Sequence, residues 1–316
     1  MNIEDLLRET LSDMAHEEQP PPPGRFLQVN ENRSRRRGLA LAAAAAVTVL
    51  AVGSTLVVQG LSSRAEAPGV LTGQGSGETR AETRITVTVN EGLRLSQILE
   101  QLSTVTGRPL AEFKRAAKDG KALDLPAYAK GALEGFAFPA TYEVSPTSSP
   151  EEILAAMVTH FRSVAEDTNL VEGAKRVGRT PLEIMTIASI VQAESASKRD
   201  MPKVARVVYN RLSRTPEMGL KMDSTVLYGL NKFGIAASHE DLQSRSPYNT
   251  YKRLGLPPGP IGNPGADAIK AALNPAAGRW LWFVTTDPKK GVTKFAASES
   301  EYLKLVEEYN KNLRTG

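Results

Sequence analysis

The residues best suited to chemistry in this chain fall in three short runs. Glu194 ends the run Ile187-Ala188-Ser189-Ile190-Val191-Gln192-Ala193-Glu194, Asp223 opens Asp223-Ser224-Thr225, and Tyr248-Asn249-Thr250-Tyr251 sets two aromatic rings around hydrogen-bonding side chains. A carboxylate among apolar neighbours must find a partner or shift its pKa upward, and the upward shift is what a general acid near neutral pH requires. The same carboxylate paired with an arginine, or capping a neighbouring helix, would be structural, and periodicity does not choose between the two. Asp223 could orient a polar ligand or stabilise positive charge, or cap a helix ahead of Ser224-Thr225. The tyrosine run offers stacking faces and hydrogen-bonding groups of the kind a sugar uses, or else a structured loop before a Pro-Gly turn. Arg211 is a support residue that either pairs with a buried carboxylate or lays its stem along the core with its head in solvent, the commoner habit of arginine.

Other chemistries are disfavoured. Cysteine is absent, which removes thiol nucleophiles, disulfides and thiolate metal sites. The three histidines, His16, His160 and His239, are far apart with no ligand-like spacing, so neither a metal nor a cofactor is expected. The net charge of +4 is mild. Its sharpest concentration is the short run 33–37 rather than a basic surface with interleaved aromatics, so no nucleic-acid partner is expected.

Helices must position these groups. Thr180-Pro181-Leu182-Glu183 reads as a capping box with Pro at the first helical position, predicting a helix to about Ser197. At about 100° per residue, Glu194 then falls inside an apolar stripe made by Ile184, Ile187, Ile190 and Val191. A second helix should open at Asp200, with Pro202 in its first turn, and bury Val204, Val207, Val208 and Leu212 with Arg211 in the same stripe. Ser149-Pro150-Glu151-Glu152 marks another start, ahead of a face built from Ile153, Leu154, Met157, Val158 and Phe161.

The composition, 41% hydrophobic and 23% charged, is that of a folding chain, and its patterning divides it into five parts. Residues 1–37 read as a cytoplasmic tail, acidic and then proline-interrupted and basic. Residues 38–59 read as a single transmembrane helix around a charge-free run at 39–58, of the length that crosses a hydrocarbon core. Arginines 33 and 35–37 just before it place the N-terminus inside and the rest outside, at the plasma membrane. A cleaved signal peptide ending near Ala65-Glu66-Ala67 ranks second, because the polar leader and the apolar run are both too long for one. Residues 60–83 form a spacer rich in Gly, Ser, Ala and Glu.

Residues 84–145 begin with the period-two run Ile85-Thr86-Val87-Thr88-Val89, followed by helices near 95–102 and 109–117. A closing apolar stretch through Phe136, Phe138, Tyr142 and Val144 is expected to pair with the first strand. In size and order this unit resembles a LysM-like αβ module, which binds glycan in other proteins. Residues 146–316 form a mainly helical domain with some strands, so the expected fold class is α+β.

From about Leu133 onward the chain resembles the endolytic murein transglycosylase (MltG, YceG-like) family. The blocks are Leu133-Glu134-Gly135-Phe136-Ala137-Phe138-Pro139-Ala140-Thr141-Tyr142, the run ending at Glu194, and Asn210-Arg211-Leu212. Met222 to Gly229, Ser246 to Tyr251, Gly255-Leu256-Pro257-Pro258-Gly259-Pro260-Ile261 and Asn263-Pro264-Gly265 follow in the same order. The resemblance implies a membrane-anchored lytic transglycosylase that cuts peptidoglycan glycan strands after N-acetylmuramic acid, leaves 1,6-anhydro ends and terminates nascent strands. It puts the catalytic glutamate at Glu194 and tips Asp223, Tyr248, Asn249, Thr250 and Tyr251 towards substrate binding. Many family members carry Glu where this chain has Gln192, which favours Glu194 as the acting acid. Family members often place histidines around Thr293-Lys294-Phe295 and Glu301-Tyr302, where this chain has none. The implied partners are peptidoglycan strands, membrane lipid and peptidoglycan synthases. The rival reading is a non-catalytic peptidoglycan-binding membrane scaffold.

Overall fold

The computed structural model describes residues 84–314. The expected tail, membrane helix and spacer at 1–83 lie outside the described residues. Among the described residues no helix is long and apolar enough to cross a membrane.

The described chain opens with β1 (Ile85–Thr88), whose alternation turns Val87 inward and Thr86 and Thr88 outward. Helices α1 (Leu95–Thr106) and α2 (Leu110–Ala116) follow, separated by Gly107 in the left-handed region. Strand β2 (Thr141–Val144) then pairs antiparallel with β1, Ile85 opposite Val144 and Thr88 opposite Thr141. The closing stretch predicted from sequence is therefore half strand and half loop. Phe136 and Phe138 lie before β2, buried in the turn that leads to it.

Among the described residues six further helices and two short ones follow, with a hairpin near the end. Helix α3 (Pro150–Asp167) starts where the sequence placed a helix start, and a reciprocal Ser149/Glu152 capping box closes its first turn. Next come α4 (Leu170–Arg176), α5 (Pro181–Glu194), α6 (Met201–Leu212), the short α7 (Asp223–Gly229) and α8 (His239–Leu242), and α9 (Ala266–Leu273). The hairpin of β3 (Trp282–Asp287) and β4 (Val292–Ala296) then packs against α10 (Glu299–Arg314), with Trp282 stacked on Tyr302.

Helix α5 is the hub, and it corrects the stripe expected from sequence. Every residue from Ile184 to Val191 is buried, because α4, α6, α7 and α9 surround the helix. A helix ringed by neighbours needs apolar or internally satisfied residues on all sides. Its polar members comply. Thr186 donates to the Leu182 carbonyl, while Ser189 donates to the Thr186 carbonyl and accepts the Ile261 N–H. The capping box at Thr180 and Glu183 forms as predicted, but the helix ends at Glu194, where Ser195 turns extended. Glu194 is thus a terminal residue of a central helix.

The β1–β2 region and the helices share one continuous apolar core, from Val87 and Phe136 to Ile184 and Leu273. The seam between them is also polar. Asn263, fully buried, accepts the Ala137 N–H on Oδ1 and donates Nδ2 to the Leu93 carbonyl and to Glu134. Gly135, at φ +90°, brings its backbone against the Pro260 ring.

Candidate active site

Three segments converge on the end of α5. Glu194 is half-buried, its carboxylate recessed among protein groups, and its Oε1 accepts the Ser224 hydroxyl at 2.6 Å. Burial is the main cause that raises its pKa above the ordinary 4.5, and the charge of Asp223 acts in the same direction. The C-terminal end of α5 adds a further push, since carbonyl dipoles there disfavour a negative charge. Ser224 and the Arg211 charge oppose the shift without cancelling it. The arrangement favours the protonated carboxyl relative to a free glutamate and provides a donor for the anion left when the proton departs.

Arg211 departs from the commoner habit expected of it. Its head is buried, with Nε donating to the Leu281 carbonyl at 2.7 Å and Nη1 donating to the Leu220 carbonyl. It ties α6 to the segments before α7 and β3 while lending positive charge to Glu194.

Asp223 sits in the first turn of α7, whose N-cap is Met222, so the capping role considered for it is not the one observed. Its carboxylate accepts the Ala237 N–H at 3.1 Å and the Tyr251 hydroxyl at 2.5 Å. It therefore joins the loop after α7 to the tyrosine run.

The four residues of that run divide by burial. Asn249 and Thr250 are 0% and 2% exposed, and hydrogen bonds within the fold use their polar groups. Asn249 donates Nδ2 to the Leu242 and Ser244 carbonyls and accepts the Tyr251 N–H, while Thr250 accepts the Met222 N–H and shares a hydrogen bond with Thr225. They have no surface for a sugar, which corrects their assignment as ligand contacts; they are struts. Tyr248 and Tyr251 keep exposed surface, and the Tyr248 ring lies 4.8 Å from that of Tyr228 at 57°. The Pro257–Pro260 segment expected to wall the site turns mostly inward, and only Pro258 is exposed.

Two residues with no role assigned to them from the sequence also belong to this framework. Gln192 accepts the Gly265 N–H on Oε1, fixing the start of α9 beside α5. Glu134 has its pKa pushed up to about 7 by burial, against the pull of donors from Leu95, Tyr228 and Asn263 and of the Arg94 charge. Its sequence signals were its place in the first of the family blocks and a charge between an apolar Leu133 and a glycine, which no periodicity explains. Among the described residues no group of His, Cys, Asp and Glu could hold a metal ion. A surface cavity of about 450 Å³ beside Lys198, Arg199, Asp267 and Lys270 is lined by neither Glu194 nor the tyrosines.

The chain is similar to several known proteins. The endolytic murein transglycosylase of Bacillus subtilis (strain 168) is 38% identical over 181 residues, covering 57% of this chain and 49% of that protein. The endolytic murein transglycosylase of Streptococcus pneumoniae serotype 2 (strain D39) is 31% identical over 267 residues, covering 74% and 46%. The chain thus spans about half the length of the curated relatives it matches. The crystal structure of a YceG-like protein from Listeria monocytogenes superposes with a TM-score of 0.61 at 29% identity, over 70% of this chain and 75% of that one. The model of the YceG-like family matches residues 58–308, and with it the chain belongs to the YceG-like family.

Proposed function

We propose that this protein is an endolytic lytic transglycosylase that cleaves the bond between N-acetylmuramic acid and N-acetylglucosamine inside peptidoglycan strands. The observation that carries the reading is the recessed Glu194 carboxyl, raised in pKa and held by Ser224 at the end of the central helix. The name shared by the two curated relatives supports the substrate class.

Glycosidases that hydrolyse their substrate mostly need a pair of carboxylates, one of them to activate water or to attack. Here the substrate supplies its own nucleophile. Protonated Glu194 gives its proton to the glycosidic oxygen as the C1–O bond breaks, and the resulting carboxylate takes the proton of the muramoyl 6-hydroxyl as O6 bonds to C1. Atoms balance without water, and the products are a free 4-hydroxyl and a 1,6-anhydromuramoyl end. Ser224 and Arg211 stabilise the carboxylate between the two proton transfers. Asp223, clamped by Tyr251, offers negative charge where the sugar ring becomes positive, and the partly exposed Tyr248 and Tyr251 side chains offer aromatic surface for stacking.

In this reading the chain is held at the plasma membrane by residues 38–59 with its N-terminus in the cytoplasm. The LysM-like unit at 84–145 helps bind the glycan, and strand termination beside peptidoglycan synthases is the biological outcome. The test is incubation of purified glycan strands with the full-length protein in detergent, followed by mass analysis of the products. Glu194→Gln is expected to lower release of anhydro-ended fragments about 10²- to 10⁴-fold with little change in melting temperature. Equal release by both proteins, or none by either, would remove the enzymatic reading in favour of a glycan-binding scaffold.

A further inference from the structure

The proposed reaction leaves the recessed Glu134 carboxylate unused, and it lies in the region expected only to bind glycan. Glu134 accepts the Leu95 N–H at 2.9 Å and the Asn263 side-chain amide at 3.0 Å on one oxygen, and the Tyr228 hydroxyl at 3.1 Å on the other. Tyr228 stands four residues after Ser224 on α7, so the two side chains share one face of the same helix. One end of that face holds Glu194 and the other holds Glu134.

A helix of seven residues is too short to hold itself, so its orientation depends on its attachments. Thr225 anchors the start of α7 to Thr250, and Tyr228 anchors the far end through Glu134. The Arg94 guanidinium, 5.3 Å from the Tyr228 ring centroid, and the Tyr248 ring confine the tyrosine from its sides. Rotating α7 by about 20° would carry the Ser224 hydroxyl by roughly 1 Å, given the radius of a helix. A displacement of that size at a catalytic centre can cost up to about 10²-fold in rate.

We infer that Glu134 is a positioning residue for Glu194, setting the orientation of α7 through Tyr228 and hence the direction from which Ser224 donates. This rests on the reading of Glu194 as the acid. It makes the β1–β2 region part of the catalytic machinery rather than an appended binding unit.

The test uses the full-length protein and purified glycan strands, with kcat and KM read from anhydro-ended product. Tyr228→Phe removes only the hydroxyl. Glu134→Gln keeps an acceptor for Leu95 and Asn263 but sets an amide against Tyr228. Each is expected to lower kcat about tenfold with KM within about twofold, the double variant should be no slower than either, and Tyr228→Phe should add nothing in a Ser224→Ala background. An unchanged kcat in Tyr228→Phe, losses that multiply, or an effect confined to KM would overturn the inference, and Tyr228→Phe decides it even if Glu134→Gln fails to fold. Glu194→Gln in the same assay separates the two readings: wild-type cleavage by that variant removes the acid assignment itself, whereas its inactivity beside a fully active Tyr228→Phe removes only the role of Glu134.

Discussion

The two regions that meet at Asn263 reach stability by different routes. Residues 146–314 are organised around α5, which buries apolar side chains on every side and holds its few polar groups by local hydrogen bonds. The β1–β2 region offers a two-stranded sheet and two helices, too little to stand as a large core of its own, and it joins the helices through a seam of close backbone contacts and buried polar pairs. An apolar hub tolerates neighbours that shift slightly, whereas a polar seam demands a fixed register because each unpaired group is costly. The groups around Glu194 depend on both: the hub supplies the acid, and the seam supplies Glu134.

The comparison breaks most sharply at the seam. Gly135→Ala would place a methyl about 2.5 Å from the Pro260 ring at a positive φ, so an unfolding free energy lower by about 3 kcal/mol is expected in chemical denaturation. A loss under about 1 kcal/mol would mean that the two regions are not rigidly docked.

The next effect is a dependence on pH. Glu134 has its pKa raised from 4.5 to about 7, so between those values the folded state holds a proton that the unfolded chain has released. Its contribution therefore falls as pH rises through that window and is level above it. After allowance for its solvent-facing part, the stability difference between pH 5 and pH 8 should shrink by on the order of 2 kcal/mol in Glu134→Gln. Identical pH profiles for the two proteins would show that Glu134 does not titrate there.

Smaller effects sharpen the contrast away from the seam. Thr180→Ala removes the N-cap of α5 and should cost about 1 kcal/mol, since the buried length of the helix remains to hold it. Arg84→Ala removes an ion pair with Glu143 whose side chains are 64% and 65% exposed, and a change in melting temperature within measurement error is expected.

Local chemistry made much of this molecule legible. The helix start at Ser149, the capping box at Thr180, the alternation of 85–89 and the glutamate at the end of the apolar run could be read from the chain, because each depends on neighbours within a few residues. The order of the motif blocks pointed to the family. The phase argument for Glu194 was less successful, since it supposed one buried face where the helix is enclosed on all sides. Asn249 and Thr250 were read as ligand contacts because hydrogen-bonding side chains beside tyrosines look alike whether they face a ligand or hold a loop.

The sequence by itself thus determined where helices start, which residue is the candidate acid and which family the chain resembles. Only the tertiary structure decided what surrounds that acid. Ser224 reaches Glu194 across 30 residues, Tyr228 reaches Glu134 across 94, and Asn263 reaches Glu134 across 129. Hydrogen bonds over such separations leave no period in the chain, because they arise from the packing of whole elements rather than from the preferences of adjacent residues.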